Sequence, residues 1–468
     1  MIKNYIKKSF DEVIEFLGSL SDGDHTVEDL QFIINYSQIR PSQILGKIIG
    51  DINTYRSLHV LMNSSKTWLK LNSKSEEDEI YSEKVHIRNL SAQYLVSNSK
   101  TSVFEVANLE LYDFHNIHLF QKPEEHEKRH LTYYLAGVKD IFDVREWRIP
   151  SFNGSAKNEI KGLKLNIDEK VSTEIVPCYF YDQSHEAPDI ELSTRILVLD
   201  FSTNLSKEEF SDNEFLEFGE KASNDLLILY SFLARQWIVW YSYVLADSHK
   251  VHCFYRHTRE VTDTKIYHDS IPIKWSDISN FIHSSYKQLN LAKKQGFDLD
   301  KAISYYITGS AEKYLETQFT TTFLALEKIK ADYESINNLG KILPSDEFET
   351  LRKYISSSIS QFTNDKNAEC DIKLKIPELN RPPIRSTIDK ILQFYSIEWK
   401  DLYPEGSDLT IFNTRNKLFH SARKVDFDYL IKEMDRLQIL LARIILKILG
   451  WNDLSNTMHN YQSYLQEL

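Results

Sequence analysis

"LLILYSFLARQWIVWYSYVLA", residues 226–246, decides the class of the fold, because it has nearly the length of a membrane span. Arg235 and Gln236 stand at its centre, where a charge surrounded by hydrocarbon is costly. The stretch therefore reads as a helix buried by neighbouring protein, within a helical segment near residues 219–247, and not as a membrane anchor.

Upstream of it the texture is that of strands. "SLHVLMN" (57–63), "TWLKLN" (67–72), "KVHIRNL" (84–90), "AQYLVSN" (92–98), "NIHLF" (116–120), "CYFYD" (178–182) and "RILVLDF" (195–201) carry β-branched, aromatic and alternating residues between Asn, Ser, Asp and Gly breaks. Downstream, "KVHCFYRHTR" (250–259) reads as one more strand. From about Ser276 the period is helical. Tyr314, Phe319, Phe323 and Leu326 mark the apolar face of a first long helix; further helices are expected over 348–362, 384–399 and 426–449. In the last, Leu430, Met434, Leu437, Leu441, Ile444 and Ile448 step by fours and threes, and Gly450 supplies the stop. The fold class is α+β: a mixed segment over 1–45 with a helical start, a β-rich N-terminal domain over 46–275, and an all-α bundle of four or five helices over 276–468.

The 468 residues exceed one ordinary core, while 42% hydrophobic and 12% aromatic content is ample for burial. A net charge of −12 disfavours a general nucleic-acid coat, although a local basic site in an acidic body remains compatible with it. Cys178, Cys253 and Cys370 are far apart and odd in number, which suits a reducing cytoplasm better than a disulfide framework. The opening "MIKNYIKKSFDEVIEFLGSL" has acids among its apolar residues and no cleavage site, so no signal peptide is expected.

Several constellations could carry chemistry. "HEKRH" (126–130) satisfies the H-E-x-x-H zinc pattern, with Glu146 as a conceivable third ligand. Its inner residues Lys128 and Arg129 oppose a dication and leave no apolar back face, so it reads as a solvated charged turn. His252, Cys253 and His257 lie on an expected strand, where neighbours alternate faces, and packing is favoured over metal binding. No phosphate-cradling glycine loop and no G-x-S-x-G elbow occurs.

"RNKLFH", residues 415–420, is different. On a helix Asn416 and His420 share a face one turn apart, Arg415 has the reach to join them, and Leu418 and Phe419 are expected to anchor the other side. A guanidinium clamps a phosphate and stabilises its developing charge. A histidine near neutral pKa moves the proton of a ribose 2′-OH. Lys417, Arg423 and Lys424 add positive potential, read as contacts to an RNA backbone. The same residues also suit solvent-facing cations around a helix end.

The R-N-x-x-x-H on the penultimate helix, with "FLALEKIK" (323–330), "RSTIDKIL" (385–392) and "LLARIILKILGW" (440–451) around it, resembles the HEPN ribonucleases, in particular the ApeA-like branch. The resemblance implies a β-rich sensor or regulatory domain ahead of a HEPN-type bundle that pairs as a homodimer. It implies a metal-independent, cofactor-free endoribonuclease that cuts RNA such as tRNA in anti-phage abortive infection, released by a phage-derived trigger. On that likeness Arg415 binds the phosphate, Asn416 is its polar partner, His420 transfers the proton, and Glu327 orients the arginine or is a plain helix carboxylate. The alternative is a non-catalytic HEPN-type module that binds nucleotide or protein and dimerises.

Overall fold

The computed structural model describes residues 11–37, 43–64, 68–73, 78–94, 104–119, 128–137, 145–150, 156–161, 163–165, 167–181, 193–256, 272–363, 365–403, 406, 408–420 and 425–454. The chain divides into two compact units, residues 1–227 with 238–265, and residues 228–237 with 266–468.

The first unit is antiparallel sheet. β1 (Asp11–Ser21), β2 (Thr26–Ser37), β3 (Ile44–Gly50), β4 (Leu69–Ser73), β5 (Asp78–Tyr94) and β6 (Phe104–Leu111) pair in the order β5-β4-β1-β2-β3-β6, and a β5–β6 pairing closes them into a barrel. Its core holds Leu20, Phe32, Ile34, Ile48, Leu71 and Leu109, with Leu58 and Leu61 of α1 (Ile52–Ser64) packed against it. Long β5 also pairs with β7 (Asp113–Leu119), and the sheet continues through β15 (Lys250–Arg256), β14 (Val239–Ala246), β8 (Arg129–Ala136), β13 (Ser193–Thr203) and β12 (Ser172–Tyr181) to β11 (Leu163–Leu165). β9 (Arg145–Pro150) and β10 (Ala156–Lys161) form a separate pair. The first half of α2 (Asp212–Ala234) covers the β8 region: a Cβ on Gly219 would come within 2.4 Å of the Leu131 side chain.

Three sequence expectations change here. Among the described residues, from Asp11 on, the helical start and the separate 1–45 segment give way to a hairpin of the barrel, because Asp22 and Gly23 (φ 97°) turn the chain; residues 1–10 lie outside the described residues. Asp22 Oδ1 accepts the amides of Asp24 and His25 at 3.0 and 2.7 Å, the signature of a tight turn. "SLHVLMN" is helix, not strand: Asp51 Oδ1 accepts the Asn53 and Thr54 amides, both at 2.9 Å, and so caps α1, whose Leu58 and Leu61 share a face. The 226–246 stretch is two elements, the end of α2 and strand β14. Arg235 takes a left-handed conformation (φ 51°), its amide reaching Phe232 O and that of Gln236 reaching Ser231 O. That is a Schellman stop with arginine where glycine is usual. The β-branched and aromatic run after it then pairs with β8 and β15.

The second unit is helical, with α3 (Ile278–Gln295), α4 (Leu299–Ala311), α5 (Leu315–Ile336), α6 (Ser345–Phe362), α7 (Lys366–Lys375), α8 (Ile384–Phe394), α9 (Ile411–His420) and α10 (Phe427–Ile448). These are more helices than the four or five expected, since short turns interrupt the periodic runs. Tyr314 is not on an apolar face; it precedes α5 and is 73% exposed. α8 stops at Phe394, short of Trp399, because Ser396 turns left-handed (φ 52°) and the Ile397 amide returns to Leu392 O at 2.8 Å. α10 matches its expectation: Asp426 caps it, Gly450 (φ 75°) ends it, and its six predicted apolar positions are buried. α5 is the hub, packing on α4, α8, α9 and α10. Among the described residues no helix is long and apolar enough to cross a membrane.

Candidate functional site

α9 carries the R-N-x-x-x-H sequence. It is seated by Ile411, Phe412 and Thr414, all buried, with the Phe412 ring edge-on to Phe323 of α5 at 6.1 Å. Leu418 is only half-buried and Phe419 is 50% exposed, so the expected anchors are not the anchors. Leu418 and Phe419 share the faces of Ile411 and Phe412, seven residues earlier, but lie in the last turn of α9, where burial falls off.

This seating points Arg415 at α5. Its Nη2 donates to Glu327 Oε1 at 3.1 Å, and Nη1 donates to Asn416 Oδ1 at 3.3 Å. The guanidinium carbon lies 4.9 Å from the Phe419 ring centroid, four residues on, and 6.0 Å from that of Phe323. Arg415 is 28% exposed and Glu327 33%, so the pair fixes direction more than it adds stability, about 1 kcal/mol or less. Asn416 and Lys417 are exposed, with the Lys417 ammonium 5.5 Å from the Tyr429 ring. Position 420 ends α9, one turn after Asn416; the side chain of His420, together with Arg423 and Lys424, lies outside the described residues.

Beneath α9 is a polar network that periodicity does not announce. Glu433 of α10 is fully buried, and its Oε1 accepts from Thr410 Oγ1 at 2.7 Å and from Arg436 Nη1 at 2.8 Å. Thr414 Oγ1 lies 3.3 Å from Glu433 Oε2 and 3.2 Å from the Tyr429 hydroxyl. The Arg436 guanidinium carbon sits 4.4 Å from the Tyr403 ring, and burial pushes the Tyr403 phenol well above its ordinary range. A buried carboxylate needs such partners. Here they tie the first turn of α9 to α10. The signal that could have found it is a Glu three residues after Leu430 and next to Met434, on the stripe that otherwise holds only apolar residues.

The other constellations separate. His126 and Glu127 are outside the described residues, while Arg129 and His130 open strand β8, so residues 126–130 are not one helix turn. Arg129 is buried, not solvated, and donates to Asp212 Oδ1 at 2.5 Å; His130 Nδ1 lies 3.1 Å from Asp200 Oδ2. Strand alternation explains this, since Arg129 shares the covered face with Leu131 and Tyr133. On β15, His252 is buried and Cys253 lies on the opposite face, packed on the barrel core. His252 Nε2 meets His115 Nδ1 at 3.0 Å, and burial lowers the His252 pKa to about 4. His257 is outside the described residues, as is the Glu146 side chain. Among the described residues no group of three or more His, Cys, Asp or Glu is placed to hold a metal ion.

Comparisons of this chain with protein-family models, with curated proteins and with solved structures find no match.

Proposed function

We propose that the chain is a metal-independent endoribonuclease of the HEPN type, cleaving RNA, with tRNA as the substrate class, in anti-phage abortive infection. The observation that carries the reading is the direction of Arg415: α5 supplies Glu327 to hold the guanidinium beside Asn416 at an exposed rim. A guanidinium fixed in this way can bind two non-bridging oxygens of a phosphodiester and stabilise the charge of the pentavalent state. His420, ending the same helix, takes the proton of the ribose 2′-OH as its oxygen attacks phosphorus. The bond to the 5′ oxygen breaks and that oxygen takes a proton from water, leaving a 2′,3′-cyclic phosphate and a 5′-hydroxyl, while the His420 imidazolium returns its proton to solvent. The exposed Phe419 ring offers a face on which an unpaired base stacks, as single-stranded RNA sites use. A pair of such sites in a homodimer and restraint until a phage trigger arrives belong to the same proposal.

The test uses the full chain, end-labelled tRNA and excess EDTA, with and without phage lysate. Cleavage that survives the chelator and disappears in His420→Ala supports the reading. Glu327→Gln should lower kcat about 10- to 100-fold while leaving tRNA affinity nearly unchanged, because it loosens a group needed in the transition state. The rival is a non-catalytic module that dimerises and in which Arg415 and His420 only bind nucleotide or protein. Tight tRNA binding with no cleavage under any trigger would establish that rival.

A further inference from the structure

α6 and α7 differ from the other helices of their unit: along 18 and 10 residues neither buries a single side chain. They lie against each other as a hairpin, zipped along one edge by Lys373 Nζ, which donates to Ser360 Oγ at 2.8 Å and to Glu369 Oε1 at 2.5 Å. The hairpin is fastened at its base. Asn380, buried in the turn after α7, donates through Nδ2 to Leu343 O at 3.0 Å, and its Oδ1 accepts the Leu343 amide at 2.7 Å, just ahead of α6.

α6 nevertheless carries an apolar stripe. Leu351, Tyr354, Ser358 and Phe362 step by threes and fours along one face, and Leu351 is 38%, Tyr354 72% and Phe362 92% exposed. Phe348, Ile355 and Ile359 beside them are only half-buried. A helix of this length owes its stability mainly to the packing of such a face. α7 does not complete that packing, since its own Ile372 and Leu374 stay exposed. From Thr350 to Phe362 the sequence holds no acid, in a chain of net charge −12. A second copy can approach here without the repulsion that the rest of the acidic surface imposes.

We propose that the α6–α7 hairpin is half of an interface whose occupant is the same hairpin of a second copy of this chain, the two closing as a four-helix bundle about a two-fold axis. The acids of α6 set the direction, because Asp346, Glu347 and Glu349 crowd its start. A parallel pairing stacks the two acidic turns on each other. An antiparallel pairing sets them at opposite ends, each beside the acid-free end of the other helix. With Leu351 seated over Ser358 of the other copy, large against small, Tyr354 falls next to the axis. The surface open at Leu351, Tyr354 and Phe362 is on the order of 400 Å² per copy. That is near the apolar share of the roughly 800 Å² that each partner gives a standard interface. The pairing is argued from α6 and α7 alone and stands whether or not α9 cleaves RNA.

Sedimentation velocity of the full chain at tens of micromolar tests it. The chain sediments as a dimer, and the double variant Leu351→Glu/Tyr354→Glu halves the mass while leaving the melting temperature of the chain unchanged, because these side chains are open in one copy. In a Cys370→Ala background, Tyr354→Cys forms a disulfide-linked dimer under mild oxidation, and Lys353→Cys, on the other side of α6, does not. Arg415→Ala leaves the copies paired, so loss of pairing and loss of RNA cleavage are separate results. A chain that is monomeric at this concentration overturns the proposal. So does a dimer whose mass the double variant leaves intact, and so does cross-linking through Lys353→Cys as efficient as that through Tyr354→Cys.

Discussion

Two carboxylates two residues apart on α10 meet opposite fates. Glu433 is surrounded by donors, whereas burial pushes the Asp435 carboxyl up to about 6, against the opposing pull of Arg235. With a folded pKa near 6 and an ordinary value of 3.8, the folded chain holds more protons than the unfolded chain between those limits. The contribution of Asp435 to stability is therefore full below about pH 4 and is lost as pH rises through 6. Asp435→Asn keeps the protonated shape without the charge. At pH 7.5 it should be more stable than the natural chain, by up to about 3 kcal/mol, with the difference closing by pH 4. Urea unfolding at several pH values measures this, and an equal difference at pH 4 and pH 7.5 would rule it out. Arg415 and Asn416 were legible as residues because they carry their chemistry in their type. Glu433 is not marked by its type, and only its place on the otherwise apolar stripe of α10 announces it.

Among elements, the α4–α5 contact shows how closely the helical unit is packed. A Cβ on Gly309 of α4 would meet Thr322 Oγ1 at 2.2 Å, the Thr322 backbone nitrogen at 2.8 Å and Gln318 O at 3.1 Å. A rotamer change of Thr322 removes the first clash but not the backbone ones, so α4 and α5 must separate. Gly309→Ala should destabilise the chain by about 1–3 kcal/mol despite its better helix propensity. The companion Thr322→Ala should not restore it; full restoration would show that only the hydroxyl was in the way. The same scale explains which elements could be read in advance. α10 was legible over its whole length, since Asp426, its apolar stripe and Gly450 agree. α2 and β14 merged into one expected helix because Arg235 holds the left-handed stop that glycine ordinarily announces, and apolar residues continue on both sides. α8 was read too long for the same reason, with Ser396 at the stop. α1 looked like a strand because its β-branched and aromatic letters outweighed the Asp51 cap in a short window.

At the scale of the whole molecule, strands followed by helices was readable, but the cut at residue 276 was not where the chain divides. α2 serves both units: residues up to Leu227 belong with the sheet, and 228–237 belong with the helices. Within the helical unit Phe232 is fully buried, its ring 5.5 Å from Tyr306 of α4, and Arg235 Nη1 donates to Gln438 Oε1 of α10 at 3.4 Å. A fragment of residues 276–468 lacks all of this and exposes the Tyr306 surface. Such a fragment is therefore a poor test of whether the first unit restrains the proposed nuclease, because loss of activity would report loss of fold. We expect the fragment to bind a hydrophobic dye and to melt below the full chain. In the full chain, Phe232→Ala should cost about 3–5 kcal/mol locally. Hydrogen exchange would read that as at least a hundredfold loss of protection in α4 and α10, wherever exchange there proceeds through opening of this unit. If the fragment keeps native protection in both helices, residues 228–237 are dispensable to that core, and the isolated fragment becomes a valid test of restraint after all.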